Sequence, residues 1–298
     1  MKFSLLIVNY NTESYIEALI YSLLEQTISK SDFEIIISNN VQNNTLDEMI
    51  SKNNFYDIIN IKVLQIDKNV GFGRATNMAA ELANGEHLLI INPDVLMTDN
   101  DYLSSMYRFI LNNPNYGVIS SKILNDNDYD VCDYYTYHFS ENFGYDNEIC
   151  WFQGSLMFIS IKVFKAVNGF DEDFFMYSED SDLCYRIKRY GLQLIKNNEL
   201  SVYHKGGSSE PDHDYDYYLR RYKSTILFMH KHYSKNEFNN FINDLYRREK
   251  LLSIRYKVLN AIFPSRYKMA ALDHQVMFEI LKKTIDNSTE YLYYQDFR

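Results

Sequence analysis

Lys2-Phe3-Ser4-Leu5-Leu6-Ile7-Val8-Asn9-Tyr10-Asn11-Thr12 opens as an apolar, β-prone run and breaks into a polar turn. A short run without apolar–polar alternation reads as a strand buried on both faces, the habit of parallel sheets. After the turn, Tyr15, Ile16, Leu19, Ile20, Leu23 and Leu24 recur at helical spacing, predicting a helix over 14–26. Asn11 or Thr12 is its predicted N-cap. The pairing of elements then repeats, with strands predicted over 34–38, 61–66 and 87–91 and helices over 46–52 and 74–83. Such alternation predicts an α/β layer built on a mostly parallel sheet.

In sheets of this class ligands bind beyond the carboxyl ends of the strands. Here those ends are Asn9-Tyr10-Asn11, Ser38-Asn39-Asn40, Asp67-Lys68-Asn69-Val70-Gly71 and Asn92-Pro93-Asp94, and they are expected to converge on one cleft. Pro93 stiffens its turn and keeps Asn92 extended. Asp94, just past an apolar strand, suits a hard divalent ion that neutralises a diphosphate. Aspartate is also common in ordinary turns, so Asp94 alone decides little. Further strands are predicted over 155–160, 192–195 and 201–203, with a short helix over 163–167. His204, at the last of these strand ends, is a second candidate ligand or a satisfied structural histidine. Gly206-Gly207 allows close backbone approach to an oxyanion.

Gly169-Phe170-Asp171-Glu172-Asp173-Phe174-Phe175-Met176-Tyr177-Ser178-Glu179-Asp180-Ser181-Asp182-Leu183 sets carboxylates among aromatic side chains. Buried unpaired charge is costly, so these acids need partners or a task. A helix is predicted from Asp180, with Glu179 and Asp180 near its positive end. A carboxylate walled by Phe174, Phe175 and Tyr177 suits a general base that takes a hydroxyl proton. The plainer alternative is a helix start decorated with acids by capping preference. Trp151, shortly before Gly154, offers a large aromatic face to line a cleft, or simply a core side chain.

The chain of 298 residues can bury a full core. Its net charge of −10 is uneven: residues 211–298 carry 15 Lys and Arg against 11 Asp and Glu, so the acidic excess lies wholly in 1–210. An acidic body argues against nucleic acid as a partner. Cys132, Cys150 and Cys184 show no CxxC spacing and predict reduced thiols in a cytoplasmic protein. The apolar opening is too short for a signal peptide, and no run approaches the ~18–20 apolar residues of a membrane span. A loop with Glu210, Asp212, Asp214 and Asp216 precedes long basic, aromatic helices predicted from about Tyr217. There Tyr218, Leu219, Tyr222, Ile226 and Met229 follow helical spacing. Between Tyr218 and Lys257 ten Lys and Arg face three acids. That composition fits a helical subdomain with a solvated basic face. It equally fits peripheral contact with anionic lipid at the inner face of the plasma membrane.

Taken in order, Val8-Asn9-Tyr10-Asn11, Asn69-Val70-Gly71-Phe72-Gly73-Arg74-Ala75-Thr76-Asn77, Asn92-Pro93-Asp94-Val95 and the 169–172 and 179–183 segments resemble glycosyltransferase family 2. The match is to its bacterial rhamnosyltransferase-like branch and covers about residues 1–210. The resemblance implies a GT-A catalytic domain over 1–210, with a Rossmann-like mixed, mostly parallel sheet, and a helical C-terminal appendage over 211–298. It implies a nucleotide-sugar donor (dTDP-rhamnose or a UDP-hexose), Mn²⁺ or Mg²⁺, and inversion at the anomeric carbon. Asp94 would be the last acid of the family's DxD-type motif and hold the metal, with His204 as the late metal or diphosphate ligand. Asp180 would be the base, with Glu179 beside it binding acceptor or positioning the loop. Asn9, Asn39 and Arg74 would grip base and ribose, with Asn11, Asn69, Gly71 and Asn92 on the same donor side and Trp151 on the acceptor side.

Two departures stand out. Position 39 is Asn where the family usually has Asp, although an amide oxygen still accepts the pyrimidine N3 proton. Asn92 fills the first slot of the DxD-type motif, as is typical of that branch. The function implied is transfer of a sugar to a glycan or lipid-linked acceptor in bacterial surface polysaccharide synthesis. The alternative is a degenerate domain that binds nucleotide-sugar or glycan without turnover; Asn39 and Asn92 support it, while retention of Asp94, Asp180 and His204 opposes it. A sugar-phosphate nucleotidyltransferase would need a Gly-rich, basic loop after the first strand, where this chain has Asn9-Tyr10-Asn11-Thr12.

Overall fold

The computed structural model describes residues 1–207, 213–286 and 289–293. In chain order the first half runs β1 (Phe3–Asn9), α1 (Glu13–Leu24), β2 (Phe33–Asn39), α2 (Thr45–Lys52), α3 (Phe55–Ile58), β3 (Ile61–Gln65), α4 (Phe72–Ala80) and β4 (His87–Ile91). There follow β5 (Val95–Leu96), α5 (Tyr102–Leu111), β6 (Tyr116–Leu124), β7 (Asp133–Tyr134), β8 (Trp151–Phe152), β9 (Leu156–Ser160), α6 (Ile161–Ala166), α7 (Glu179–Arg189) and β10 (Gln193–His204). Three long helices close the chain: α8 (Tyr215–His232), α9 (Lys235–Ile262) and α10 (Pro264–Asp286).

Eight strands form one sheet in the order β3-β2-β1-β4-β9-β6-β10-β5. β3, β2, β1 and β4 are mutually parallel, and β6 is parallel to β10. β9 is antiparallel to both of its neighbours, and β5 is antiparallel to β10. The middles of the central strands are apolar runs: Leu5, Ile7, Ile35, Ile37, Leu89 and Ile91 are all fully buried. Layers on both faces explain why these strands lack alternation. β7 and β8 pair separately as a small antiparallel ribbon.

At the opposite end of the strands from their carboxyl termini, Glu34 is buried as an ion. It accepts from Ser4 Oγ at 2.7 Å, Lys62 Nζ at 2.8 Å and the Asn84 amide at 2.7 Å. Burial works against ionisation here, but these bonds outweigh it and hold the carboxyl below the usual glutamate range.

Several local expectations change. Residues 192–195 and 201–203 are parts of one continuous strand, β10, with register shifts at Gln193/Leu194 and Asn197/Ser201. The side chain of Asn197 accepts from the Glu199 amide at 2.9 Å, so the chain bulges there without leaving the sheet. Thr12 is the N-cap residue of α1 but its side chain caps nothing; Asn9 Oδ1 instead takes the Thr12 amide at 3.0 Å and its hydroxyl at 2.9 Å. α5, β6 and the β7–β8 ribbon lie where no element was predicted. In β6 the buried Ser120 and Ser121 interrupt the apolar pattern, each satisfied by a 2.7 Å bond, to the Leu156 carbonyl and the Tyr102 hydroxyl.

The chain divides into two compact units. The first comprises Met1–Asp171 and Asp180–Ser209 and holds the whole sheet; the second comprises Glu172–Glu179 and Glu210–Arg298. The boundary expected at 210/211 lies outside the described residues, as do Glu210 and Asp212 of the predicted acidic loop. Asp214 caps α8, accepting from the Tyr217 amide at 2.9 Å. In the second unit α8 buries Tyr218, Ile226 and Met229, while Leu219 and Tyr222 of the same predicted stripe are half-buried. Ser224 Oγ donates to the Met176 carbonyl at 2.7 Å and Lys231 pairs with Asp173 at 2.6 Å, tying the 172–179 segment to α8. Ser234 and Glu237 form a capping box at the start of α9, and Pro264 opens α10 after α9 has ended. Among the described residues no helix is long and apolar enough to cross a membrane. The three cysteines are buried and unpaired with one another.

Candidate active site

Parallel register brings the first three strand ends together. Asn9 lies opposite Asn39, and Asn39 opposite Gln65. Asn9 Nδ2 donates to Asn39 Oδ1 at 2.8 Å and to Glu13 at 3.1 Å, while Asn39 Nδ2 donates to Gln65 Oε1 at 2.8 Å. Both asparagines are fully buried, and amide groups are affordable there because each bond has a partner. Asn40 extends the network to the next loop: its amide donates to Asn69 Oδ1 at 2.8 Å, and its oxygen accepts from the Val70 backbone at 3.0 Å. Asn69 in turn accepts from the Gly71 amide at 3.0 Å. Gly71 has φ +89°, a left-handed conformation that favours glycine, and leads into α4, whose first turn carries the half-buried Arg74. Asn11 is exposed at φ +56°. Gln65 is not singled out by the sequence, and its place in the register joins it to the site; Asn40, expected only as part of a strand end, is joined by its side-chain bonds to the 69–71 loop.

A second cluster forms where β5 folds back on β10. That antiparallel pair sets His204 opposite Val95, and the neighbouring Asp94 Oδ1 lies 3.1 Å from His204 Nε2. Both residues are buried. The Lys205 amide donates to the Asp94 carbonyl at 3.2 Å, closing the turn. Beside them a cavity of about 360 Å³ is lined by Tyr15, Pro93, Leu96, Tyr203 and Lys205, with Lys205 Nζ bonded to the Tyr15 hydroxyl at 2.8 Å. Gly206 and Gly207 follow with φ +73° and +69°. Asn92 is half-buried, its backbone amide bonded to the Ser155 carbonyl at 3.0 Å. Among the described residues no group of three or more His, Cys, Asp or Glu converges on a point. One carboxylate and one imidazole side by side still fit a hard divalent ion that draws its other ligands from diphosphate and water.

The third cluster is built around Asp180 in the first turn of α7. Its Oδ2 accepts from the Gly154 amide at 2.9 Å and its Oδ1 from the Ser181 amide at 2.7 Å. Desolvation pushes the carboxyl up to about 6, against the pull of those two amides. Asp180 keeps partial access to solvent. A group so tuned is ionised at neutral pH yet basic enough to take a proton. Asp182, by contrast, is structural: it pairs with Arg186 at 2.7 Å, and the same guanidinium binds the carbonyls of Val167 and Gly169. Tyr177 and Ser178, just upstream, both have left-handed φ (+70° and +64°), a strain typical of functional turns. Glu179 is buried and opens α7. Its segment, with Phe174, Phe175 and Tyr177, groups with the second unit.

Trp151 is half-buried, stacked on Tyr134 with centroids 3.9 Å apart, and its indole N–H donates to the Thr136 carbonyl at 3.0 Å. His138, unnoticed in the sequence, lies with Nε2 3.1 Å from the hydroxyl of Ser181.

A large mixed, mostly parallel sheet packed with helices is the architecture of the GT-A glycosyltransferases, and solved members superimpose on it. A crystal structure of S. aureus TarS 1–349 in complex with UDP-GlcNAc has a TM-score of 0.58 at 17% identity, covering 96% of this chain and 92% of that one. The mannosyltransferase PcManGT from Pyrobaculum calidifontis, in complex with GDP-Man and Mn²⁺, gives 0.62 at 13% identity, over 96% and 88% of the two chains.

The chain belongs to glycosyl transferase family 2, whose model matches residues 4–167. A second model, described as the N-terminal domain of galactosyltransferase, matches residues 135–232. Among curated relatives, the rhamnosyltransferase WbbL of Escherichia coli K12 is 26% identical over 217 residues, 64% of this chain and 78% of WbbL. The low-salt glycan biosynthesis hexosyltransferase Agl10 of Haloferax volcanii is 26% identical over 67% of this chain and 66% of its own. The poly(ribitol-phosphate) β-N-acetylglucosaminyltransferase TarS of Staphylococcus aureus is 33% identical over 95 residues, which is 32% of this chain but 16% of TarS.

Proposed function

We propose that this chain is a metal-dependent inverting glycosyltransferase that moves a sugar from a nucleoside-diphosphate donor to a hydroxyl of a glycan or polyprenyl-linked acceptor in bacterial surface polysaccharide synthesis. The observation that carries the mechanism is Asp180: a desolvated carboxyl with pKa about 6, held by two backbone amides at a helix start. Asp180 takes the acceptor's hydroxyl proton as that oxygen attacks the anomeric carbon. The bond from that carbon to the diphosphate oxygen breaks on the opposite face, so configuration inverts in one displacement. A single base suffices, unlike the acid–base pair of a hydrolase. Glu179 binds acceptor or orients the loop, and Trp151 lines the acceptor side.

On the donor side, Asn9, Asn39 and Arg74 hold base and ribose, with Asn11, Asn69, Gly71 and Asn92 completing the rim. Asp94 and His204 would hold Mn²⁺ or Mg²⁺, and the ion, when bound, would supply positive charge to the leaving diphosphate. The likeness to the rhamnosyltransferase WbbL favours rhamnose as the sugar moved, with dTDP-rhamnose the expected donor, and the likeness to the N-acetylglucosaminyltransferase TarS keeps a UDP-hexose as the second candidate. Residues 1–210 form the catalytic domain in this reading and 211–298 a helical subdomain, with the protein cytoplasmic and attached peripherally through its basic C-terminal helices.

The test is a thermal-shift and calorimetric panel of UDP-, dTDP- and GDP-sugars with and without Mn²⁺, followed by turnover with the best binder. Metal-dependent stabilisation by a uridine or thymidine species supports the reading. Binding without turnover on any acceptor would favour the degenerate domain, which Asn39 and Asn92 support.

A further inference from the structure

The two halves of α9 differ in which face is apolar. In the first half Phe238, Ile242, Leu245 and Glu249 point inward and are buried. Beyond Glu249 four apolar side chains turn outward, Leu251, Ile254, Val258 and Ile262 being 71, 57, 54 and 60% exposed, while Leu252 and Leu259 are half-buried. Their three- and four-residue spacing sets them on one stripe, and at about 3.6 residues per turn that stripe lies opposite Ile242 and Glu249. Phe263, 55% exposed, ends it; Pro264 then starts α10, whose first turns present Met269, 45% exposed.

The charge around this stripe has one sign. Residues 247–269 contain seven Lys and Arg and one acid, Glu249. Glu249 is buried, bonded to His274 at 2.7 Å and to Arg248 at 3.1 Å. Arg247 pairs with Asp244. Lys250, Arg255, Lys257, Arg266 and Lys268 form no ion pair among the described residues. On the helix Arg255 flanks one side of the stripe while Lys250 and Lys257 flank the other.

We propose that the α9–α10 elbow, residues 251–269, is a docking surface for an anionic lipid bilayer, with the Leu251/Ile254/Val258/Ile262 stripe lying in the plane of the headgroup–acyl boundary. This deepens the peripheral attachment in the reading above and names the residues that make it. Apolar side chains rimmed by cations suit that boundary, where the stripe leaves water and the cations meet lipid phosphates. A second copy of the chain is the poorer occupant, because pairing on this face would set five unpaired cations against five with no exposed acid between them. Nucleic acid would take the cations and leave the stripe in water.

Vesicle flotation of the intact chain tests this, using phosphatidylcholine alone and phosphatidylcholine containing one-third phosphatidylglycerol. Binding should need the anionic lipid and weaken with salt, as screening shortens the Debye length from about 10 Å. The triple variant Leu251→Ser, Ile254→Ser, Val258→Ser should lose tenfold or more in vesicle affinity, and Arg255→Gln with Lys257→Gln should flatten the salt dependence. All five positions are exposed, so circular dichroism and donor-induced thermal shift should be unchanged, which separates this result from any failure of the transferase reading. No flotation of the wild type with phosphatidylglycerol, or full flotation of the triple variant, would overturn the proposal. So would a dimer, seen by light scattering, that the triple variant dissolves while vesicle binding is absent.

Discussion

The backbone amide of Gly154 donates to Oδ2 of Asp180 at 2.9 Å, and a Cβ placed on Gly154 would lie 3.2 Å from the Asp180 Cβ. The glycine therefore holds the carboxyl in place and leaves no slack for a methyl group. Gly154→Ala should push Asp180 aside by a few tenths of an ångström and stretch that bond. Misplacing a reacting group by ~1 Å can cost ~100-fold, so a kcat loss of roughly tenfold is expected here, with donor Kd unchanged. Steady-state kinetics beside calorimetric donor titration checks both.

As the proposed base, Asp180 must be ionised to act, and its raised pKa sets where that fails. kcat/KM should fall about tenfold per pH unit below about 6 and level off above it. Gly154→Ala, by weakening a bond to the charged form, should move this acid limb upward. Asp180→Asn should abolish transfer while donor binding stays near normal; an Asn variant with near wild-type turnover would remove Asp180 from the mechanism.

Asp94→Ala and His204→Ala each take one donor from the 3.1 Å pair. Even outer partners of metal ligands are worth about 10–100-fold, so each variant should raise the Mn²⁺ concentration for half-maximal donor stabilisation by at least about tenfold. In buffer with a chelator the variants and wild type should bind donor alike, measured by thermal shift.

Asn40→Ala removes the bridge between the end of β2 and the Asn69–Gly71 loop. The loop should loosen and donor KM rise several-fold, with kcat little changed, because in the proposed reading the loop that Asn40 holds carries the donor-side residues Asn69 and Gly71. Hydrogen exchange at the Val70 and Gly71 amides should quicken in parallel.

Glu34 gives a stability prediction away from the site. Its folded pKa is held low, so its contribution is complete above the unfolded glutamate pKa and is lost as pH falls through the folded value, in the acid range. Ser4→Ala deprives this buried carboxylate of a 2.7 Å partner and should cost about 1–3 kcal/mol in urea unfolding at neutral pH. The deficit should shrink on acidification.

Lys2 to Val8, Glu34 to Ser38 and His87 to Ile91 declared themselves because a strand buried on both faces carries an uninterrupted apolar run at its centre, here Leu5–Val8, Ile35–Ile37 and Leu88–Ile91. The acidic turn before α7 declared itself because carboxylates among aromatics are energetically out of place. Asp94, His204 and Asp180 were legible as types at strand and helix ends. By itself, then, the sequence determined the α/β core, its strand-end residues and the candidate base, since burial and local turn chemistry are written in composition and spacing. Tertiary structure alone decided that Asp94 meets His204 across a two-residue antiparallel strand, and that Asn40 locks a loop some thirty residues on. It alone set Gly154 beneath Asp180 and turned the second half of α9 apolar side out. These are contacts between residues far apart in the chain, and they depend on strand order, register and helix packing, which no local pattern encodes.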